Sequence, residues 1–165
     1  MRRALPAVFV ALLVSAPVAG APPDIALPDG WRPLPEVALT VDAVMDLPTH
    51  TRAFGDPARG CYAAEILARV DGAEASWVAI DKGLGSGLVS GGGKVISRAA
   101  GAGQSEREVI LGPLRGRIRA RYEKNKAPKT GDGIDVAITG CLFSARAPAH
   151  CQATCAAVLT NLEKR

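Results

Sequence analysis

Aromatic side chains are scarce here: two Trp, two Tyr and three Phe among 165 residues. A surface that stacks single-stranded nucleic acid interleaves aromatics with cations, and the most cationic stretch of this chain, residues 115–129, has Tyr122 alone. Histidine is nearly absent too, with only His50 and His150. No CxxC pair occurs, which removes the usual spacing for zinc and for dithiol redox chemistry. No serine stands in a GxSxG nucleophile turn. Long apolar runs are missing after the first 21 positions, which excludes a multi-spanning helical membrane protein. Charge of one sign is not in large excess, with 20 Lys+Arg against 16 Asp+Glu. An apolar content of 48% with 22% charged residues excludes a disordered chain.

The N-terminus reads as an export signal. Arg2 and Arg3 precede the apolar stretch from Ala4 to Val14, and small residues gather at Ser15, Ala16, Ala19, Gly20 and Ala21. Pro6 and Pro17 interrupt the stretch, which falls short of the ~20 apolar residues a spanning helix needs. Residues 1–21 are therefore expected to be a signal peptide, 22–36 a Pro-rich extended lead-in, and 37–165 one folded domain. Without Arg2 and Arg3 the chain carries 18 basic and 16 acidic residues, a net +2.

The expected fold is α+β, a mainly antiparallel sheet of about five strands with an amphipathic C-terminal helix on one face. Prolines at 22, 23, 28, 33 and 35 favour extended backbone in the lead-in, with Trp31 pinning it to the body. Val37, Leu39 and Val41 alternate as a first strand would. The run CYAAEILAR suits a helix started by Asp56-Pro57, but Tyr62, Ala64, Ile66, Ala68 and Val70 also alternate. Because Asp71-Gly72 follows, strand–turn–strand into SWVAID is preferred. Eight glycines between 83 and 103 read as a long mobile loop with a short element near Lys94–Arg98. Val109 to Tyr122, kinked near Gly112-Pro113, and Ile134 to Phe143 read as a hairpin. Finally, Cys151, Cys155, Val158, Leu159 and Leu162 form one helical stripe after Pro148.

Four cysteines in an exported chain favour two disulfides. Of the three pairings, Cys141–Cys155 with Cys61–Cys151 ranks first, because the strand and helix rises place Cys155 nearer Cys141. A metal site from Cys141, His150, Cys151 and Cys155 is the competing reading; its spacing is unlike known zinc sites, and no cofactor is expected.

GLGSGLVSGGGKV resembles a phosphate loop but has Leu88 where glycine is required and Val95 where Ser or Thr should hold magnesium. The carboxylate pairs Asp42/Asp46 and Glu106/Glu108 suit solvated faces as well as they suit acid–base chemistry.

The strongest local signal is LRGRIRARY. Read as a strand, it lines Arg115, Arg117, Arg119 and Arg121 on one face, ~6.6 Å apart. With Lys124, Lys126 and Lys129, residues 115–129 hold seven cations against Glu123. Such a column is a solvated strand face, partnered by acids such as Asp135, or an anion-binding strip. The expectation is a non-enzymatic exported binding or structural module of the cell envelope or extracellular space, binding an anionic envelope component or an acidic protein through Arg115, Arg117, Arg119, Arg121, Lys124 and Lys126. Nucleic acid is not expected as a partner. The alternative is a small secreted hydrolase built around His50 or His150.

Overall fold

The computed structural model describes residues 25–44, 48–72, 76–127, 131–145 and 148–163. The expected signal peptide, the start of the lead-in and Lys129 lie outside the described residues. One seven-stranded antiparallel sheet organises them, not the five strands expected. Its strands are β1 (Arg32–Pro33), β2 (Thr49–Asp56), β3 (Cys61–Asp71), β4 (Gly93–Gly101), β5 (Gln104–Leu111), β6 (Leu114–Ala127) and β7 (Gly131–Ser144). Three helices complete the described part: α1 (Pro35–Val44), α2 (Trp77–Ser90) and α3 (Pro148–Glu163).

The strand order is β1-β2-β3-β7-β6-β5-β4. After β3 the chain therefore leaves the middle of the sheet. It crosses one face as α2, enters the far edge as β4, and returns strand by strand until β7 meets β3. β6 and β7 form the expected hairpin, in register from Leu114↔Ser144 to Ala127↔Gly131. The kink near Gly112-Pro113 is a full reversal separating β5 from β6. Leu111 pairs with Leu114, and Gly112 takes a φ of 59° that side chains rarely adopt.

Three expectations are corrected. The first strand at Val37–Val41 is helical. Pro35 suits a first helical turn, whose N–H groups need no intrahelical partner, and the amides of Val37 and Ala38 bond the carbonyl of Leu34. Leu34 and Ala38 are buried against Ala53, whereas Leu39 points outward, 70% exposed. The segment SWVAID is not a strand but opens α2, with Ser76 as its extended N-cap residue. The glycine-rich stretch is not a loop: α2 runs to Ser90, Gly91-Gly92 turn the chain, and β4 follows. The helix exists because Trp77, Ile80, Leu84 and Leu88 form a stripe that packs on the sheet, and this outweighs the cost of its glycines.

The segment 61–70 is a strand, as preferred. Its hairpin partner is upstream, however: β2, which contains His50, pairs from Thr49↔Ala68 to Asp56↔Cys61.

Alternation divides the sheet into two faces. On one, Tyr62 and Ala64 meet α1, while Ile66, Val109, Ile118, Ala120, Tyr122, Ile134 and Val136 meet α2. On the other, Cys151, Cys155, Val158 and Leu162 of α3 pack on Phe54, Cys61 and Ala63, with Ile25 and Trp31 closing the cluster. The lead-in is thus tied to the body through buried Trp31. Two disulfides staple α3 to the sheet, Cys61–Cys151 and Cys141–Cys155. α3 covers only the β2–β3–β7 side of its face. The β6 and β5 side stays open.

Candidate functional site

That open area carries the arginine column. Because Arg115, Arg117, Arg119 and Arg121 occupy alternate positions of β6, they share the face of Phe143, Cys141, Thr139 and Ala137, their register partners on β7. Among the described residues no helix lies over them. The side chains of Arg115, Arg117 and Arg119 are 61%, 70% and 54% exposed, and Arg121 is exposed as well.

The column is not a bare positive ridge. On the neighbouring strand β5, Glu106 and Glu108 stand in register with Arg119 and Arg117. Arg115 donates to Glu108 at 2.7 Å, and both Arg117 and Arg119 reach Glu106 at 3.3 Å. On the far side, Arg52 pairs with Glu65 at 2.5 Å and Arg69 with Asp135 at 3.2 Å. The seven-cation window of the sequence thus becomes a mixed lattice, in which neighbouring strands supply carboxylates that reading along one strand could not reveal. The same alternation removes Lys124 from the column: its register partner is Ile134, on the α2 face. Lys126 lies in backbone register with Asp132.

At the Arg121 end of the column the sheet dips into an open depression of about 590 Å³. Leu67 and Ala137 form its floor, with His50, Arg69, Arg121 and Asp135 around it. His50 is exposed there, directly opposite Leu67 in the β2–β3 register. His150 lies elsewhere. Its neighbour Cys151 is bridged to Cys61, which stands six positions along β3 from Leu67, or ~20 Å. The two histidines therefore cannot serve one site. The competing metal reading loses its ligands, since all four cysteines are consumed in disulfides. Among the described residues no cluster of His, Cys, Asp and Glu could hold a metal ion, and no helix is long and apolar enough to cross a membrane.

The sequence reading missed one polar centre. Asp81, on the inner face of α2, is wholly buried with Arg107 of β5 beside it, their closest atoms 2.7 Å apart. Tyr122 donates to the same carboxylate oxygen at 2.7 Å, and Ser105 also donates to it. Arg98 of β4 reaches the other oxygen at 2.5 Å. Burial alone would raise the Asp81 pKa, but the hydrogen bonds from Ser105, Arg107, Tyr122 and Arg98 outweigh it and hold the carboxyl well below the usual range. The Tyr122 hydroxyl is pushed upward by burial and by the Asp81 charge. With every member enclosed except Arg98, this cluster clamps α2 to the sheet; it is not open to a ligand. Its signal was in the sequence: Ser105, Arg107 and Val109 alternate, so a strand with Val109 inward also turns Arg107 inward.

Comparison of the chain with protein-family models, with curated proteins and with solved structures finds no match.

Proposed function

We propose that this protein is an exported, disulfide-stapled binding module that engages multivalent anions through the open arginine column of β6. The observation that carries this reading is the shared exposure of Arg115, Arg117 and Arg119 on the part of the sheet face that α3 leaves open. Export is supported by the two disulfides, which persist in an oxidising compartment, and by the signal-like residues 1–21.

The carboxylates on β5 set the kind of ligand. Exposed ion pairs of this sort contribute about 0–1 kcal/mol each, so displacing Glu106 and Glu108 costs little. Each guanidinium also has five N–H donors, more than one carboxylate oxygen can occupy. A single anion would still compete with a carboxylate held permanently nearby. A polymer or surface presenting phosphate or carboxylate groups ~6.6 Å apart would meet several guanidiniums together. The ligand class is therefore an acidic envelope polymer, an anionic lipid surface or an acidic protein segment.

The test measures retention of the oxidised protein on heparin and on vesicles containing anionic phospholipid, at low salt. Arg117→Glu with Arg119→Glu should abolish retention, and Glu106→Gln with Glu108→Gln should strengthen it. Retention unchanged in both variants would overturn the proposal.

A further inference from the structure

We infer that strand β4 is an association edge, through which two copies of this chain join their sheets. The two edges of the sheet are unequal. One is β1, only two residues long and ending in Pro33, which lacks an N–H to offer a partner strand. The other is β4, nine residues long, with no strand on its outer side among the described residues. Edge strands normally carry guards against pairing, chiefly charges, bulges or proline. β4 has a bulge between Val95 and Ser97 and two cations, Lys94 and Arg98. These guards leave one end clear. Lys94 and the bulge both precede Ser97, and Arg98, though half exposed, is held on the α2 face by its ion pair with Asp81. The segment from Ser97 to Gly101 therefore offers an exposed backbone edge with small side chains on either side of Arg98.

The occupant that fits this edge is the same edge of a second copy. In an antiparallel pairing centred on Ala99, Ser97 faces Gly101 and Arg98 faces Ala100, so no like charges are opposed. Ile96, 44% exposed at the start of this segment, would be partly covered. Antiparallel pairing of identical strands requires a two-fold axis normal to the sheet, so like faces lie on the same side. Among the described residues the result is a continuous fourteen-stranded sheet whose remaining edges are the two blunted β1 strands. Assembly stops at two copies and cannot grow into a fibre. It also places two arginine columns on one side, five strand spacings or ~24 Å apart.

The experiment is sedimentation velocity of the oxidised protein from 1 to roughly 200 μM, with a chemical check of the register. The chain has no free cysteine, so Ala99→Cys introduces the only reactive thiol. Residues directly opposite in an antiparallel pair have Cβ atoms ~4.5–5.5 Å apart, close to disulfide reach. Oxidised glutathione should convert Ala99→Cys to a covalent dimer at least tenfold faster than Ser86→Cys on exposed α2. Ala99→Lys and Ala99→Glu, each alone, should sediment as monomers, and an equimolar mixture of the two should restore the dimer. A wild-type protein that stays monomeric throughout overturns the inference, as does a ladder of higher species or a mixture no more dimeric than its components. Because the readout is mass, it is independent of whether the arginine column binds anions.

Discussion

Asp81 and Arg107 meet 2.7 Å apart in the layer between α2 and the sheet, and water reaches neither. Removing one partner of such a pair strands the other charge in a medium that cannot solvate it. Asp81→Asn should therefore lose about 3–5 kcal/mol in urea unfolding. Asp81→Leu with Arg107→Met leaves no buried charge behind. Ser105 and Tyr122, whose hydroxyls are already 3.5 Å apart, can then bond each other. The double variant should be markedly more stable than Asp81→Asn, and a double variant at least as damaged would show that the pair's charge is not what matters.

Acid should weaken the fold through the same residue. The Asp81 carboxyl is held below its ordinary pKa by its four donors, so between the folded and unfolded values the unfolded chain binds more protons. Stability from this source is complete above about pH 5 and is lost as pH falls through and below ~4. The Asp42 carboxyl is also lowered, by the Thr49 and Thr51 hydroxyls, and contributes with the same sign. Unfolding monitored by circular dichroism from pH 2 to 7 should show a steeper acid limb for the wild type than for Asp81→Asn.

Helix α2 holds glycine at 83, 85 and 87. A Cβ at Gly85 would contact the Arg107 guanidinium, 3.6 Å away, but at Gly83 and Gly87 it would meet nothing within 4 Å. Nothing in the structure explains glycine at those two positions. Gly83→Ala and Gly87→Ala should each stabilise by up to ~1 kcal/mol, measured as a rise in urea midpoint with unchanged slope. A fall in midpoint would mean that the helix is needed in a looser form.

The two disulfides close very different loops, with sequence separations of 90 for Cys61–Cys151 and 14 for Cys141–Cys155. On loop-closure entropy, replacing the first pair by alanine costs about 4.6 kcal/mol and the second about 3. Chemical unfolding of the paired alanine variants checks the order. The reverse order would point to packing of Cys141 and Cys155 under α3 as the larger effect.

Several features were legible in the residues. The stripe through Cys151, Cys155, Val158 and Leu162 specifies a helix with one buried face, and the strand before it makes Cys141–Cys155 the near pairing. LRGRIRARY can segregate its apolar positions only as a strand, so the shared direction of its four arginines was readable too. These conclusions depend on local periodicity, which a chain carries wherever it goes. The α1 segment was misread because Val37, Leu39 and Val41 alternate, yet Pro35 and the contact of Ala38 with Ala53 outweigh that pattern. The α2 segment was misread because glycine disfavours helix locally, while burial of Trp77, Ile80, Leu84 and Leu88 favours it only once the sheet is present. By itself the sequence determined the terminal helix, the long strands and the arginine column. Tertiary structure alone decided what stands beside that column, because Glu106 and Glu108 reach it by strand pairing, and which sheet edge stays open, because strand order is a contest among distant segments.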